Sequence, residues 1–236
     1  MVRVKAAFYS AAFILRAVAA DLLDIDPEEL HISDVRQITL ASGAKAGEIV
    51  INDHLANGAG FTAWIGENWC QLLAGAVSLS PPPDSFPGAL IAQSHRNGCD
   101  SSCYDCLRQY RNMSYHGLLD WRLGVSLLRC LKSPAFRCGL DGNFTEPDVA
   151  DWPAFAATWR NTFCACFDAC TPQQFGSLPG LSVGGYDVIV VHPLWDTYVP
   201  AGRLAEAIAA ASAPVRFLDT FNIPRRLSAT YQSLGA

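Results

Sequence analysis

Tyr186-Asp187-Val188-Ile189-Val190-Val191-His192 is the stretch that decides the fold, because it is a short, nearly continuous apolar run bounded by Gly185 and Pro193. Such a run is typical of a strand that is buried on both faces. An alanine-rich helical segment follows at residues 201–212, and residues 215–219 again have a strand pattern. Strand, helix and strand at this spacing indicate a βαβ unit with parallel strands, which we place at about residues 183–236.

Upstream of this unit the chain alternates between helical and strand-like patterns. We expect helices at residues 6–24, from residue 61 to the prolines at 81–83, at 112–132 and at 151–170, and strands at 32–40 and 48–53. The intervening segment 84–111 has a loop-like pattern, and we expect it to be irregular. The sequence therefore predicts a single α/β domain over residues 1–236, with a mixed, partly parallel sheet flanked by helices and an irregular insertion at about 84–132.

Composition excludes several classes of protein. Half of the 236 residues are hydrophobic and 17% are charged, so the chain can bury a core and is not intrinsically disordered. The net charge of −5 excludes a polycation, yet residues 96–137 hold seven Lys or Arg side chains against three Asp or Glu. The basic charge is therefore concentrated in the predicted insertion.

The N-terminus has two possible interpretations. Arg3 and Lys5 precede an apolar stretch as in a signal peptide, but apolar residues also recur at helical spacing, and a core helix is favoured. The chain has no uninterrupted apolar run of membrane-spanning length, so we expect a cytoplasmic protein without membrane contact. In a reducing compartment nine cysteines indicate metal binding before disulfides.

The first cysteine cluster lies in the insertion and has metal-ligand spacing. His95, Cys99, Cys103 and Cys106 form an H-x3-C-x3-C-x2-C pattern among polar residues. Three thiolates and an imidazole are a common ligand set for a closed, structural Zn²⁺ site, so we predict Zn²⁺ as a structural cofactor. The fourth ligand is chosen by proximity alone, and other side chains remain open as alternatives: His116, His54 and Cys70. The cysteines could also be ordinary thiols in a loop.

The segment after the cluster combines a polar stripe with basic and aromatic residues. Asn112, His116 and Asp120 recur every four residues, so on a helix they would share one face, either as a structural hydrogen-bonded row or as a functional surface. Four arginines surround the stripe: Arg96, Arg108, Arg111 and Arg122. Tyrosines lie between them at 104, 110 and 115, and such a mixture suits contacts with phosphates and stacking on bases, which predicts a nucleic-acid-binding surface.

Three further patterns in the sequence are weaker. Cys164, Cys166 and Cys170 favour core packing, with a second metal site that includes Cys138 as the alternative. The glycine-rich loop at residues 57–60 could hold an anion on its backbone N–H groups or could simply turn the chain. His192 and Asp219 follow adjacent predicted strands and could form a catalytic pair or cap loops.

The cysteine segment also resembles a known family. Residues 99–123, CDSSCYDCLRQYRNMSYHGLLDWRL, resemble the cysteine motif of the domain of unknown function 1998, and residues 6–30, 52–60, 191–195 and 215–226 resemble other parts of it. Members occur at the C-terminal end of DEAD/DEAH-type superfamily 2 helicases or in their partners, in DNA repair and in DISARM-type phage defence. The resemblance implies a four-cysteine metal site matched by Cys99, Cys103 and Cys106, from which His95 departs.

The resemblance and the missing motifs together define the expected function. The chain contains no G-x-x-x-x-G-K-[ST] loop and no DEAD-type box, so we expect no ATPase activity from it alone. We expect a non-catalytic zinc-binding accessory domain of a superfamily 2 helicase system, which contacts DNA, the helicase motor or another subunit. The alternatives are a nucleic-acid-processing enzyme that uses His192 and Asp219, and a protein scaffold in a defence complex.

Overall fold

The computed structural model describes residues 2–55 and 58–235. The chain divides into two compact units, Met1–Pro134 and Ala135–Ala236, which are described separately. Helices combine with a small antiparallel sheet and a mixed, partly parallel sheet, so the predicted α/β fold class is confirmed. The extent of the domain over 1–236 stays a prediction.

A long core helix organises the first unit. Helix α1 (Val2–Leu23) buries a run of alanines and branched residues and packs against α6 (Trp121–Lys132). The two helices approach closely at Gly124, where a Cβ atom would lie 2.7 Å from Ile14 and 2.8 Å from Ser10. Length and hydropathy alone would let α1 cross a membrane, contrary to the expectation from the sequence. However, 61% of the relevant window is buried inside the protein, and core helices meet the same test.

An antiparallel hairpin and two short helices cover α1. Strand β1 (Leu30–Thr39) pairs with β2 (Lys45–Asp53), and the register shifts between Ile32 and Asp34. The single helix expected after residue 60 is divided into α2 (Phe61–Glu67) and α3 (Trp69–Ala76), because the backbone leaves the helical region at Asn68.

The glycine-rich loop before α2 does hold an anion, but the anion belongs to the protein itself. The Asp53 carboxylate accepts hydrogen bonds of 2.8 Å from the backbone N–H groups of Ala59, Gly60 and Thr62. Gly60 has a φ of +87°, which only glycine adopts readily. Residue 57 of the predicted loop lies outside the described residues. The turn interpretation therefore accounts for the part of this loop that is described.

The insertion is more ordered than the sequence indicated, and the helix after it is shorter. Two short helices, α4 (Phe86–Ile91) and α5 (Gln93–Gly98), lie in the expected loop, and residues Tyr110–Tyr115 form a kinked 3-10 turn. The helix predicted over 112–132 is wrong in its first part. It begins at Trp121, because the Asp120 side chain accepts a hydrogen bond from the Leu123 N–H and caps the first turn.

The second unit is a four-stranded sheet flanked by helices. Its strands lie in the order β3 (Thr171–Phe175), β4 (Leu178–Val183), β5 (Tyr186–Val191) and β6 (Val215–Asp219). Strands β5 and β6 are parallel and are joined through α8 (Gly202–Ala209), which confirms the βαβ prediction, whereas the antiparallel β3–β4 pair was not predicted. The other helices described in this unit are α7 (Trp152–Cys166), α9 (Asn222–Arg225) and α10 (Leu227–Ser233).

A buried carboxylate fastens the βαβ crossover. Asp187 on β5 accepts hydrogen bonds from the Ser182 hydroxyl and from the backbone N–H groups of Ser212 and Ala213, which precede β6. Burial alone would raise the pKa of Asp187, but these three donors outweigh it and hold that pKa below its ordinary value. The ionised side chain therefore stabilises the return of the chain to β6.

Candidate metal centre

The four predicted ligands lie together at the end of α5. His95 is in the last turn of that helix, Cys99 ends it, and Cys103 and Cys106 flank a tight turn. The ligand atoms of these four residues all lie within 4.8 Å of one another. Among residues 2–55 and 58–235, they form the single group of three or more His, Cys, Asp or Glu side chains that could hold a metal ion.

The spacing of the ligand atoms matches a tetrahedral zinc site. Zn–S bonds of about 2.3 Å require sulfur atoms about 3.8 Å apart at tetrahedral angles, and a Zn–N bond of about 2.0 Å requires a sulfur–nitrogen distance of about 3.5 Å. Cys106 Sγ lies 3.9 Å from Cys99 Sγ and 3.6 Å from Cys103 Sγ, and His95 Nε2 lies 3.5 Å from Cys103 Sγ. These three edges fit a tetrahedron around one Zn²⁺ ion.

The imidazole of His95 is oriented for metal binding by its second nitrogen. His95 Nδ1 lies 2.7 Å from the backbone carbonyl oxygen of Leu90, which can only accept a hydrogen bond, so the proton of the neutral ring is placed on Nδ1. Nε2 then presents its lone pair to the three sulfur atoms. A carbonyl or carboxylate behind a histidine ligand is the usual arrangement at zinc sites.

Hydrogen bonds among the thiols favour the ionisation of one of them, Cys106. A hydrogen bond from Cys99 lowers the pKa of Cys106 to about 4, against the effect of burial, and the backbone N–H groups of Cys103 and Leu107 and, when its ring is protonated, His95 donate further bonds. The same contacts raise the pKa values of Cys99 and His95, and burial raises that of Cys103. The lowered pKa favours the thiolate form of Cys106, which is the form that binds Zn²⁺.

Two side chains at the start of α6 hold the loop from the other side. Trp121 Nε1 donates a hydrogen bond of 3.3 Å to the Cys99 carbonyl, and the Arg122 guanidinium donates to the same oxygen at 2.8 Å. Arg122 also donates to the carbonyls of Asp100, at 3.3 Å, and Arg96, at 3.0 Å. Its guanidinium lies 4.5 Å above the Trp121 ring. The metal loop is therefore anchored to the core through Trp121, which is fully buried.

The alternative fourth ligands are not part of this cluster. His116 Nε2 lies 2.9 Å from Asn112 Oδ1 and 3.1 Å from the Gln109 carbonyl oxygen, so a neutral ring with its proton on Nε2 donates to both. Cys70 is an exposed residue of α3, and His54 follows β2. Of the four histidine and cysteine candidates for the last position, His95 is the one that the structure groups with the three cysteines.

The polar stripe divides into two structural features. Asn112 is buried, accepts from His116 and from the Gln109 N–H, and donates to the Leu107 carbonyl, which supports the hydrogen-bonded-row interpretation. Asp120 is not on the same helix as these residues, because the helix begins after it and Asp120 is its cap. The shared helix face that the sequence predicted is therefore wrong.

The predicted nucleic-acid residues have different environments. Arg122 is committed to the loop carbonyls described above. Arg108 donates through Nε to the Ser102 hydroxyl at 3.0 Å, and Arg111 forms a surface ion pair of 3.1 Å with Glu28. Arg96 supplies its carbonyl to Arg122.

The three tyrosines between the arginines also differ. Tyr104 and Tyr110 are exposed, by 68% and 84%, whereas Tyr115 stacks on Tyr9 with ring centroids 4.8 Å apart. Tyr115 is therefore part of the packing, and nucleic-acid binding by the arginines and the remaining tyrosines stays a prediction.

The weaker candidates of the second unit have structural partners. The thiols of Cys164 and Cys170 share a hydrogen bond. Burial is the main cause that raises the pKa of each thiol, and it contributes most to the pKa of about 11 for Cys170. Cys166 is exposed, so core packing applies to Cys170 more than to the group as a whole.

His192 and Asp219 are engaged in loop capping at one edge of the sheet. His192 Nδ1 accepts from the Leu194 N–H at 3.2 Å, and Asp219 accepts from the backbone N–H and the side-chain amide of Asn222. The centroid of the His192 ring lies 6.0 Å from that of Trp152 and 6.2 Å from that of Trp195. The capping interpretation accounts for these contacts.

Comparisons with known proteins give one similarity of note. No family model matches the chain, and no solved structure matches it. Druantia protein DruE from Escherichia coli (strain UMEA 4076-1) is 30% identical over 125 residues, which are 52% of this chain and 6% of that protein. The chain thus spans a small part of its relative's length, and the resemblance to the domain of unknown function 1998 and the link to a helicase stay predictions.

Proposed function

We propose that this chain is a non-catalytic, zinc-binding accessory module of a phage-defence system that works with a superfamily 2 helicase. The observation that carries the proposal is the tetrahedral grouping of His95, Cys99, Cys103 and Cys106. Three of the six edges of this group, at 3.5–3.9 Å, match those of a zinc tetrahedron, and the ring nitrogen of His95 that faces away from the cluster is already paired with a carbonyl.

The role we propose for the metal is structural. Four protein ligands would complete the coordination of Zn²⁺ and leave no position for a catalytic water. Bound there, the ion would neutralise thiolate charge and fix the segment between α5 and α6. Residues 96–137, which include this segment and α6, hold seven cations against three carboxylates, and this excess of positive charge makes nucleic acid or an acidic surface of a motor domain a suitable partner.

The defence role rests on similarity. DruE, the relative that matches over 125 residues, belongs to the Druantia phage-defence system. The resemblance of residues 99–123 to the domain of unknown function 1998 points in the same direction, because members of that family accompany helicases in repair and defence. This sequence contains no phosphate loop, and we therefore propose that the motor lies on another polypeptide or segment.

Affinity purification from the native host tests the helicase partnership. The tagged full chain is purified from cells at native expression, and the bound proteins are identified by mass spectrometry. We expect a superfamily 2 helicase to co-purify with the wild type and with the exposed-cysteine control Cys70→Ser. Recovery without any protein that carries a phosphate loop and a DEAD-type box would contradict the helicase partnership. Phage plaque counts on cells with and without the chain test the defence role.

A further inference from the structure

We infer that the metal-fixed segment is a stacking site for single-stranded nucleic acid, with Tyr104 and Tyr110 as the platform. The inference deepens the proposed function and rests on it, because the zinc site holds this segment in place. Both rings are strongly exposed, by 68% and 84%, although each is attached to a tightly bonded part of the protein. Rigid, exposed aromatic rings are the groups on which unpaired bases stack.

The two tyrosines flank the same hydrogen-bonded pair. The Tyr104 ring meets the His116 ring edge-on, with centroids 5.7 Å apart. His116 in turn donates to Asn112 and to the Gln109 carbonyl, directly before Tyr110. The two rings therefore emerge from one small framework, in which Asn112 is buried.

A half-buried cation of the core helix anchors the framework next to Tyr110. Arg16 on α1 donates a short hydrogen bond to the Gln109 side chain and lies 5.0 Å from the Phe13 ring. On the Tyr104 side, the backbone is fixed by the neighbouring ligand Cys103, whose N–H donates to Cys106 Sγ at 3.1 Å. Little conformational freedom is thus left to lose when a base binds, which favours affinity.

Arginines beside the rings can supply phosphate contacts. Arg111 adjoins Tyr110 and forms an exposed ion pair with Glu28, in which the two side chains are 68% and 44% exposed. Such surface pairs contribute little free energy, so a phosphate can replace Glu28. Arg108 uses Nε for Ser102, one of five N–H donors on its guanidinium. The combination of rings and cations favours nucleic acid over a protein partner.

Single strands rather than duplexes fit this arrangement. In a duplex the faces of the bases are covered by their neighbours, so two exposed rings have nothing on which to stack. In a single strand each base offers a free face. DNA and RNA share this chemistry, and probes of both kinds distinguish them.

Fluorescence anisotropy with labelled oligothymidine and oligouridine of about twenty nucleotides tests the inference. We expect the zinc-loaded wild type to bind one or both probes more tightly than a duplex of equal length. Tyr110→Ala and Tyr104→Ala should each weaken binding by about 5- to 100-fold, since the stacking of a base is lost, while Tyr110→Phe retains the ring and the affinity. Tyr198→Ala is the matched control, because Tyr198 is 82% exposed in the second unit.

Several results would overturn the inference. These are no binding of either probe by zinc-loaded protein, equal or tighter binding of the duplex, and an effect of Tyr198→Ala as large as that of Tyr110→Ala. Zinc is measured in every preparation. Wild-type protein without stoichiometric zinc contradicts the proposed function, whereas zinc-loaded protein that binds neither strand contradicts the stacking site alone.

Discussion

Replacement of Arg122 by methionine should weaken both the fold of the first unit and its affinity for zinc. Methionine keeps the length of the side-chain stem but removes the guanidinium that binds the loop carbonyls. The two shorter hydrogen bonds, 2.8 Å to Cys99 and 3.0 Å to Arg96, carry most of the effect. At about 1.5 kcal/mol for each bond to a charged group, the free energy of unfolding should fall by about 3 kcal/mol.

The same change should reach the metal, because one of the carbonyls belongs to the ligand Cys99. Loss of a group that orients a ligand typically reduces metal affinity by about 10- to 100-fold. Urea unfolding of zinc-loaded protein measures the first effect, and competition with a chromophoric chelator measures the second. Arg111→Met is the matched control, because Arg111 forms a surface ion pair and its replacement should change stability by about 0.5 kcal/mol or less.

A refutation would be an Arg122→Met protein with the urea midpoint of the wild type and a zinc affinity within about twofold of it. Arg122 would then be free for another role, such as the phosphate contact that its sequence context suggested. In our account Arg122→Met changes nucleic-acid binding only through the loss of zinc. With the site saturated by excess zinc, the salt dependence of binding should therefore equal that of the wild type.

Two further predictions concern the two units separately. Gly124→Ala should destabilise the first unit by about 1–3 kcal/mol, because the new Cβ would lie 2.7 Å from Ile14 and 2.8 Å from Ser10. Gly66 has open space around it, so the control variant Gly66→Ala should lose no stability. Equal urea midpoints for the two variants would contradict the close helix contact. Asp187→Asn should cost about 1–3 kcal/mol near neutral pH. Because the folded-state pKa of Asp187 is lowered, its carboxylate stabilises the fold above about pH 4, and this stability is lost as the pH falls through the folded-state pKa. The difference in unfolding free energy between wild type and variant should therefore narrow in acid. A difference that widens in acid would contradict the role of the ionised carboxylate.

Local spacing was sufficient to predict the metal cluster. His95, Cys99, Cys103 and Cys106 lie within twelve consecutive residues, so a short helix and one tight turn bring them together whatever the rest of the chain does. The parallel pair β5 and β6 was predictable for a similar reason, since an apolar run, a helix and a second strand at this spacing leave few topologies.

Long-range contacts account for what the sequence did not reveal. Arg122 looks like a surface cation, and its true acceptors are carbonyls that lie 22–26 positions earlier in the chain. The start of α6 was misplaced because helical periodicity continues through residues 112–120. Asp120, however, caps the helix, and its own N–H donates to Ser10 of α1, 110 positions away.

The missed strand β3 has a compositional cause. Its residues Thr171–Phe175 include a proline and are exposed except at Phe175, so the alternation of buried and exposed side chains that marks a strand is absent. Pairing with β4 supplies the order that the segment does not encode by itself. An edge strand of this kind is visible only once its neighbour is known.

The zinc content of the purified chain tests the central claim most directly. Elemental analysis after removal of loosely bound metal should find stoichiometric zinc in the wild type and in Cys70→Ser, which changes an exposed cysteine outside the cluster. Cys103→Ser should lose it, because one corner of the tetrahedron is removed. Wild-type protein without zinc, or zinc content unchanged in Cys103→Ser, would contradict the metal centre and the function built on it.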